Sequence, residues 1–167
     1  MSEADIEIVE LRGVTVYLSA EHFPVLIPTW FGNPSVPSVE RFIDWLDRMA
    51  ARAKQEGTKV VLMGDLTQAQ RPSPEVRRAL AHALDRFHGR NGDGFLGGST
   101  IIGQPLMRAV VIMVLALTRT QINFRPVKSL AAAFERTRRL LDAAGIAWPE
   151  GLDPDTYERP KPPKTPQ

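Results

Sequence analysis

Val60-Val61-Leu62-Met63-Gly64-Asp65-Leu66-Thr67, running on to Arg71-Pro72-Ser73-Pro74-Glu75, is the stretch whose reading decides the fold. A strand with one wet face alternates apolar and polar residues. Val60 to Met63 does not alternate, and Gly57 and Gly64 bound it, so it reads as a strand covered on both faces. Asp65 and Thr67 stand where that strand emerges. Ser73 is a good N-cap, Pro74 suits the first helical position, and Glu75 complements the positive end of the helix dipole. Functional groups of open α/β sheets gather beyond the carboxyl ends of the strands. Asp65, Thr67, Ser73 and Glu75 are therefore the first candidates for a partner-facing or regulatory site. Capping and turn formation already account for Ser73 and Asp65, so residue type alone does not make them functional.

Working backward, residues 38–56 carry Val39, Phe42, Ile43, Leu46, Met49, Ala50 and Ala53 at three- and four-residue steps, one apolar stripe of a helix. Ser38 is read as its cap, and Gly57 closes it. Before it, 6–11 and 14–18 read as strands of a hairpin turning at Gly13. Residues 24–31 form a third strand, whose Pro24 and Pro28 point to an edge or a bulge.

Working forward, the helix begun by Ser73 turns Val76, Leu80, Ala83, Leu84 and Phe87 inward. A glycine-rich loop leads to a strand over 95–102, and Pro105 opens a further helix. Residues 109–117 are nine apolar residues in succession. A bilayer span needs about 20, so the expectation is a deeply buried helix, with a partner-binding helix as the other account. Residues 122–127 read as an edge strand because of Pro126, and Ser129 caps a last helix that ends at Gly145. From Trp148 onward come six prolines and little to bury. The expected organisation is one α/β domain over 1–149, a mixed sheet with an N-terminal hairpin followed by alternating helices and strands, and a proline-rich flexible tail over 150–167.

The chain of 167 residues has a net charge of +2, too small to argue for nucleic acid. Arg119, Arg125, Lys128, Arg136, Arg138 and Arg139, with Arg159, Lys161 and Lys164, are diluted by acids and have no aromatic platform between them; they read as a solvated face. The absence of cysteine removes disulfides, thiolate metal sites and a cysteine nucleophile, and agrees with a cytoplasmic location. The start, Met1 to Asp5, lacks the basic and apolar parts of a signal peptide. His82 and His88 are six apart, not the three or four that align metal ligands. No nucleophile elbow or phosphate loop is present. No metal, cofactor or catalytic residue is expected. Gly97-Gly98-Ser99-Thr100, with Arg108 on the next helix, is a candidate ligand or anion cradle, against backbone packing as the plainer reading.

Three stretches resemble a known family: Lys59 to Leu66 leading to Ser73, Gln104 to Val110, and Phe124 through Ser129 to Ala132. Their succession resembles the STAS domain (sulfate transporter and anti-sigma-factor antagonist), in the branch of sporulation anti-anti-sigma proteins. The resemblance implies a STAS-like α/β fold, a protein partner and a phosphorylatable serine at the start of the helix after the central strand. Ser73 occupies that position, with Arg71-Pro72-Ser73-Pro74 in place of the family's Asp-Ser-Ser-Gly-like sequence; Thr67 is a second candidate.

Three functions follow as expectations. The first is a non-enzymatic regulatory or scaffolding domain working through protein contacts at Asp65 to Glu75, with helix 105–119 as a further part of the contact surface and a second copy of the chain among the partners to consider. The second is a small-molecule or lipid-binding domain, its apolar pocket near helix 105–119. The third is an enzyme using Asp65 with Ser99 or Thr100.

Overall fold

The computed structural model describes residues 5–164; the first four residues of the acidic start and the last three of the tail lie outside the described residues. Six strands form one sheet: β1 (Ile6–Leu11), β2 (Val14–His22), β3 (Val25–Gly32), β4 (Val60–Ala69), β5 (Phe95–Ile101) and β6 (Phe124–Val127), in that spatial order. The first three are antiparallel neighbours; β3 through β6 run parallel. The helices are α1 (Val36–Glu56), α2 (Pro74–Asn91), α3 (Pro105–Leu117) and α4 (Leu130–Ala143).

The opening stretch lies where its composition puts it. Val60, Val61 and Met63 are wholly buried and Leu62 nearly so. Alternation divides them between two cores. Val60 and Leu62 face α1 and α2, with Leu26, Trp30, Phe42, Leu46 and Phe87. Val61 and Met63 face α4, with Val25, Ile27, Phe134 and Leu141. Close strand approach depends on two glycines of β5: a Cβ at Gly98 would lie 1.9 Å from the Leu62 carbonyl oxygen, and one at Gly97 would lie 1.9 Å from that of Asn123.

Four expectations are corrected. Ser35, not Ser38, is the N-cap of α1. The Ser35 side chain accepts from the Ser38 amide and the Ser38 hydroxyl reaches back to the Ser35 backbone, a reciprocal capping box that starts the helix three residues earlier. Strand β3 is interior, so of the two readings of its prolines the edge fails and the bulge stands. Val25 through Phe31 are all buried, and their packing outweighs the ladder donor that Pro28 lacks; a register shift does follow, between Thr29 and Phe31. Helix α3 is not deeply buried. Only Met107, Val110 and Val114 are fully covered, because α3 lies toward the edge strand and α4, the next helix, crosses to the opposite face.

The tail, expected to be flexible from residue 150, is instead docked from Trp148 to Arg159. Leu152 is buried in the α4-side core, and Trp148 Nε1 donates to the Leu152 carbonyl at 2.6 Å. Tyr157 packs edge-on against Phe134 with ring centroids 5.7 Å apart. Prolines limit the freedom that docking removes, so a few apolar anchors hold the segment.

Candidate functional site

The carboxyl end of β4 is built on both faces of the sheet, and the two faces differ in chemistry. Asp65 shares parity with Val61 and Met63 and so points to the α4 side. Its Oδ1 accepts from the Thr67 amide at 3.0 Å and the Thr67 hydroxyl at 2.7 Å; its Oδ2 meets Arg159 Nε at 3.1 Å. The Asp65 side chain is only 4% exposed. Tyr157 lies beside it: burial first, and then the Asp65 carboxylate, push the Tyr157 phenol up to about 12. Sequence reading missed Tyr157 and took Arg159 for part of a solvated face, whereas it pairs with the buried Asp65. The signal available was a tyrosine and a leucine, Leu152, inside an otherwise polar tail.

Ser73 is exposed at the mouth of α2, its hydroxyl accepting from the Val76 amide at 3.3 Å, and Glu75 is exposed beside it. Thr67 is half-buried. Asp65 and Thr67 thus form one unit inside the fold, while Ser73 and Glu75 form another at the surface. Nor are Ser99, Thr100 and Arg108 brought together. Ser99 pairs in register with Met63 and faces the α4 side, wholly buried. Thr100 faces the opposite side, and Arg108 is exposed on α3. Adjacent strand residues point to opposite faces, which dismantles the expected cradle.

On the α1–α2 side, the same end of β4 enters a cavity of about 110 Å³ between the sheet and helices α1, α2 and α3. Trp30, Leu62, Gly64, Thr100, Val110 and Val114 are among the residues around it. A void of this size costs on the order of 2–3 kcal/mol if left empty, at about 24 cal/mol per Å³.

Helix α3 roofs the cavity and shows its other side to solvent. Leu106 is 63% exposed, Ile112 50%, Met113 47% and Leu117 49%. Ala109 and Ala116 are exposed between them, so Arg108 is the only charge on this face. The helix is tied to α2 at two points. Arg77 Nε donates to the Pro72 carbonyl at 3.0 Å, and its Nη1 lies 3.8 Å from Met113 Sδ. Farther along α2, the Asp85 carboxylate accepts from the backbone amides of Arg119, at 2.9 and 3.0 Å, and Thr120, at 3.1 Å, and from the Thr120 hydroxyl at 2.8 Å. The Arg119 amide, ahead of the opposing effect of burial and aided by Thr120, holds the Asp85 carboxyl below its ordinary value. The ties place the outer face of α3 next to the mouth of α2.

Several basic residues are engaged within the fold. Arg136 donates to the carbonyls of Gly98 and Asn123, and Arg138 stacks on Trp148 with 4.3 Å to the ring centroid, while Arg139 pairs with Glu135 on the exposed surface. Among the described residues, no helix is long and apolar enough to cross a membrane.

An antiparallel hairpin feeding a parallel sheet, with helices on both faces, defines a STAS/SpoIIAA-like fold, and comparison with solved structures agrees. An anti-sigma factor antagonist from Mycobacterium paratuberculosis superposes with a TM-score of 0.50 at 13% identity, over 77% of this chain and 97% of that one. An uncharacterised protein of the DUF3478 family with a SpoIIAA-like fold, from Shewanella loihica PV-4, does so with a TM-score of 0.51 at 16% identity, also over 77% of this chain and 97% of that one. No family model and no curated protein matches the sequence. At these identities the likeness establishes the fold.

Proposed function

We propose that this chain is a non-enzymatic regulatory domain that acts by docking another protein on the outer face of α3 and the adjoining mouth of α2. The observation that carries this reading is that Leu106, Ile112, Met113 and Leu117, large apolar side chains of one short helix, are left in water together with the exposed Ala109 and Ala116. Scattered apolar residues are ordinary on a surface, but a contiguous helix face rimmed by polar groups marks a contact site. A partner presenting its own apolar stripe would cover it in the manner of a helix laid on a groove. The fold shared with an anti-sigma factor antagonist supports the same class of function.

Ser73 is placed to regulate such a contact. It is exposed, it stands at the amino end of α2, and Arg77 connects that end to Met113. A phosphate on Ser73 would be stabilised by the helix dipole and the free amides of the first turn. It would also place about two negative charges beside an apolar contact, opposing a partner's approach.

The test uses capture by the wild-type chain, followed by the double variant Ile112→Glu, Met113→Glu. The expected result is a specific partner held by the wild type, released by the double variant at unchanged circular dichroism, and weakened by Ser73→Asp. A second copy of the chain counts as a partner if sedimentation shows it. Retention of the partner by the double variant, or a measured catalytic turnover in place of binding, overturns the reading.

A further inference from the structure

We infer that the cavity beneath α3 is a binding site for a hydrocarbon chain, the alkyl or isoprenoid part of an amphiphile. This does not rest on the protein-docking reading, because the cavity lies on the inner side of α3 and the docking face on the outer side.

The cavity wall is apolar. No charged side chain stands in the cavity wall, and the hydrogen-bonding side chains there are Thr100, Gln70 and the indole of Trp30. A buried charge without a partner is too costly to hold in such a place, which excludes nucleotides, sugar phosphates and ionised small acids from the interior. Water is also a poor occupant, since an ordered buried water needs two to four polar partners. Hydrocarbon is what remains compatible with the wall.

The coverage of the wall residues points the same way. Leu66, Leu80, Leu84, Val111, Leu115 and Ile122 line the cavity and are only partly buried, although they sit between the sheet and its helices. Residues of this type in a collapsed core would be covered by one another. Gly64 adds room at the floor: a Cβ there would stand 3.6 Å from Thr100 Oγ1 and 3.8 Å from Pro28 Cγ, ordinary contact distances, so a methyl group would fit where the glycine leaves space.

The size and entrance of the cavity suit such a chain. The volume of about 110 Å³ is somewhat below the roughly 150 Å³ of an engineered apolar cavity that holds benzene. Several carbons of a chain fit inside. Gln70 is the one exposed residue of the wall, which marks the way out beside Ala69 and Pro72. The remainder of the chain and its polar head would leave there into water.

Trp30 in the wall supplies the readout. Trp45 packs against Phe42 in the core, and Trp148 lies on the opposite face of the sheet against Phe134. Titrating the full chain with a fatty acid brominated along its chain is expected to quench part of the tryptophan emission in a saturable way. Trp30→Phe is expected to remove that part, and the unbrominated acid to compete. Gly64→Ala is expected to weaken uptake roughly fourfold, the equivalent of one displaced methylene, and Val110→Phe by more than about tenfold. Methyl resonances of Leu66, Leu84 and Leu115 in the unmodified chain should shift on adding the acid, while those of Val25 and Val61, on the α4 side, should not. This measurement decides the matter even if a filling variant fails to fold. Absence of quenching and of methyl shifts overturns the inference. So does equal affinity in folded Gly64→Ala and Val110→Phe, or quenching by brominated phospholipid vesicles alone, which would report adsorption on the outer face of α3.

Discussion

Asp65 and its surroundings show how much single side chains decide. The carboxylate is buried, and the Thr67 amide and hydroxyl and the Arg159 guanidinium satisfy it. Tyr157 is packed next to it, its phenol pushed up to about 12 by burial and by Asp65. The sign of the consequence follows from proton binding. In the unfolded chain a tyrosine loses its proton near pH 10; in the folded chain Tyr157 keeps it longer, so between these values the unfolded state binds fewer protons. Stability is then full below about pH 10 and falls as the pH rises toward about 12. Chemical denaturation across that window should show the decline in the wild type and a smaller one in Tyr157→Phe, which keeps the ring against Phe134. Equal slopes in the two proteins would place the Tyr157 phenol in water.

At the scale of elements, caps and packing faces carry different information. The Ser73 and Ser129 caps were legible because capping is local chemistry between a side chain and an amide three residues on. Ser35 was missed in favour of Ser38 because both residues belong to one reciprocal box, and pattern alone does not say which comes first. Ser35→Ala should cost about 1 kcal/mol, and Ser38→Ala a comparable amount, since each removes one half of the box. Thermal unfolding that moves for Ser38→Ala but not for Ser35→Ala would restore Ser38 as the cap. Helix α3 was misread for a different reason. Apolar residues on every side indicate burial only if other elements exist to cover every side, and the count of covering elements is not a property of the segment.

For the whole molecule, the consequential feature is that the fold continues past its last helix. Trp148, Leu152 and Tyr157 complete the core over α4, and Arg159 reaches Asp65 on the central strand. Ending the chain after Ala147 would uncover Phe134 and leave Asp65 without its cation. Burial of the lost side chains, at about 1.5–3 kcal/mol for each one fully covered, is partly offset by the freedom the segment regains. A net loss on the order of 2–3 kcal/mol should lower the melting temperature by roughly 5–10 °C. An unchanged melting temperature would show that 148–159 is not part of the cooperative unit.

The sequence by itself determined the strands and helices, the burial of Val60 to Met63, the mixed sheet and the caps at Ser73 and Ser129, because periodicity and capping act over a few residues and need no partner elsewhere in the chain. Only the tertiary structure decided that β3 is interior, that one side of α3 meets water while the other roofs a cavity, and that the segment after α4 leads back through Arg159 to Asp65. Each of these depends on which surfaces distant segments present to one another. A cavity in particular is the shape left between elements, and no single segment contains it.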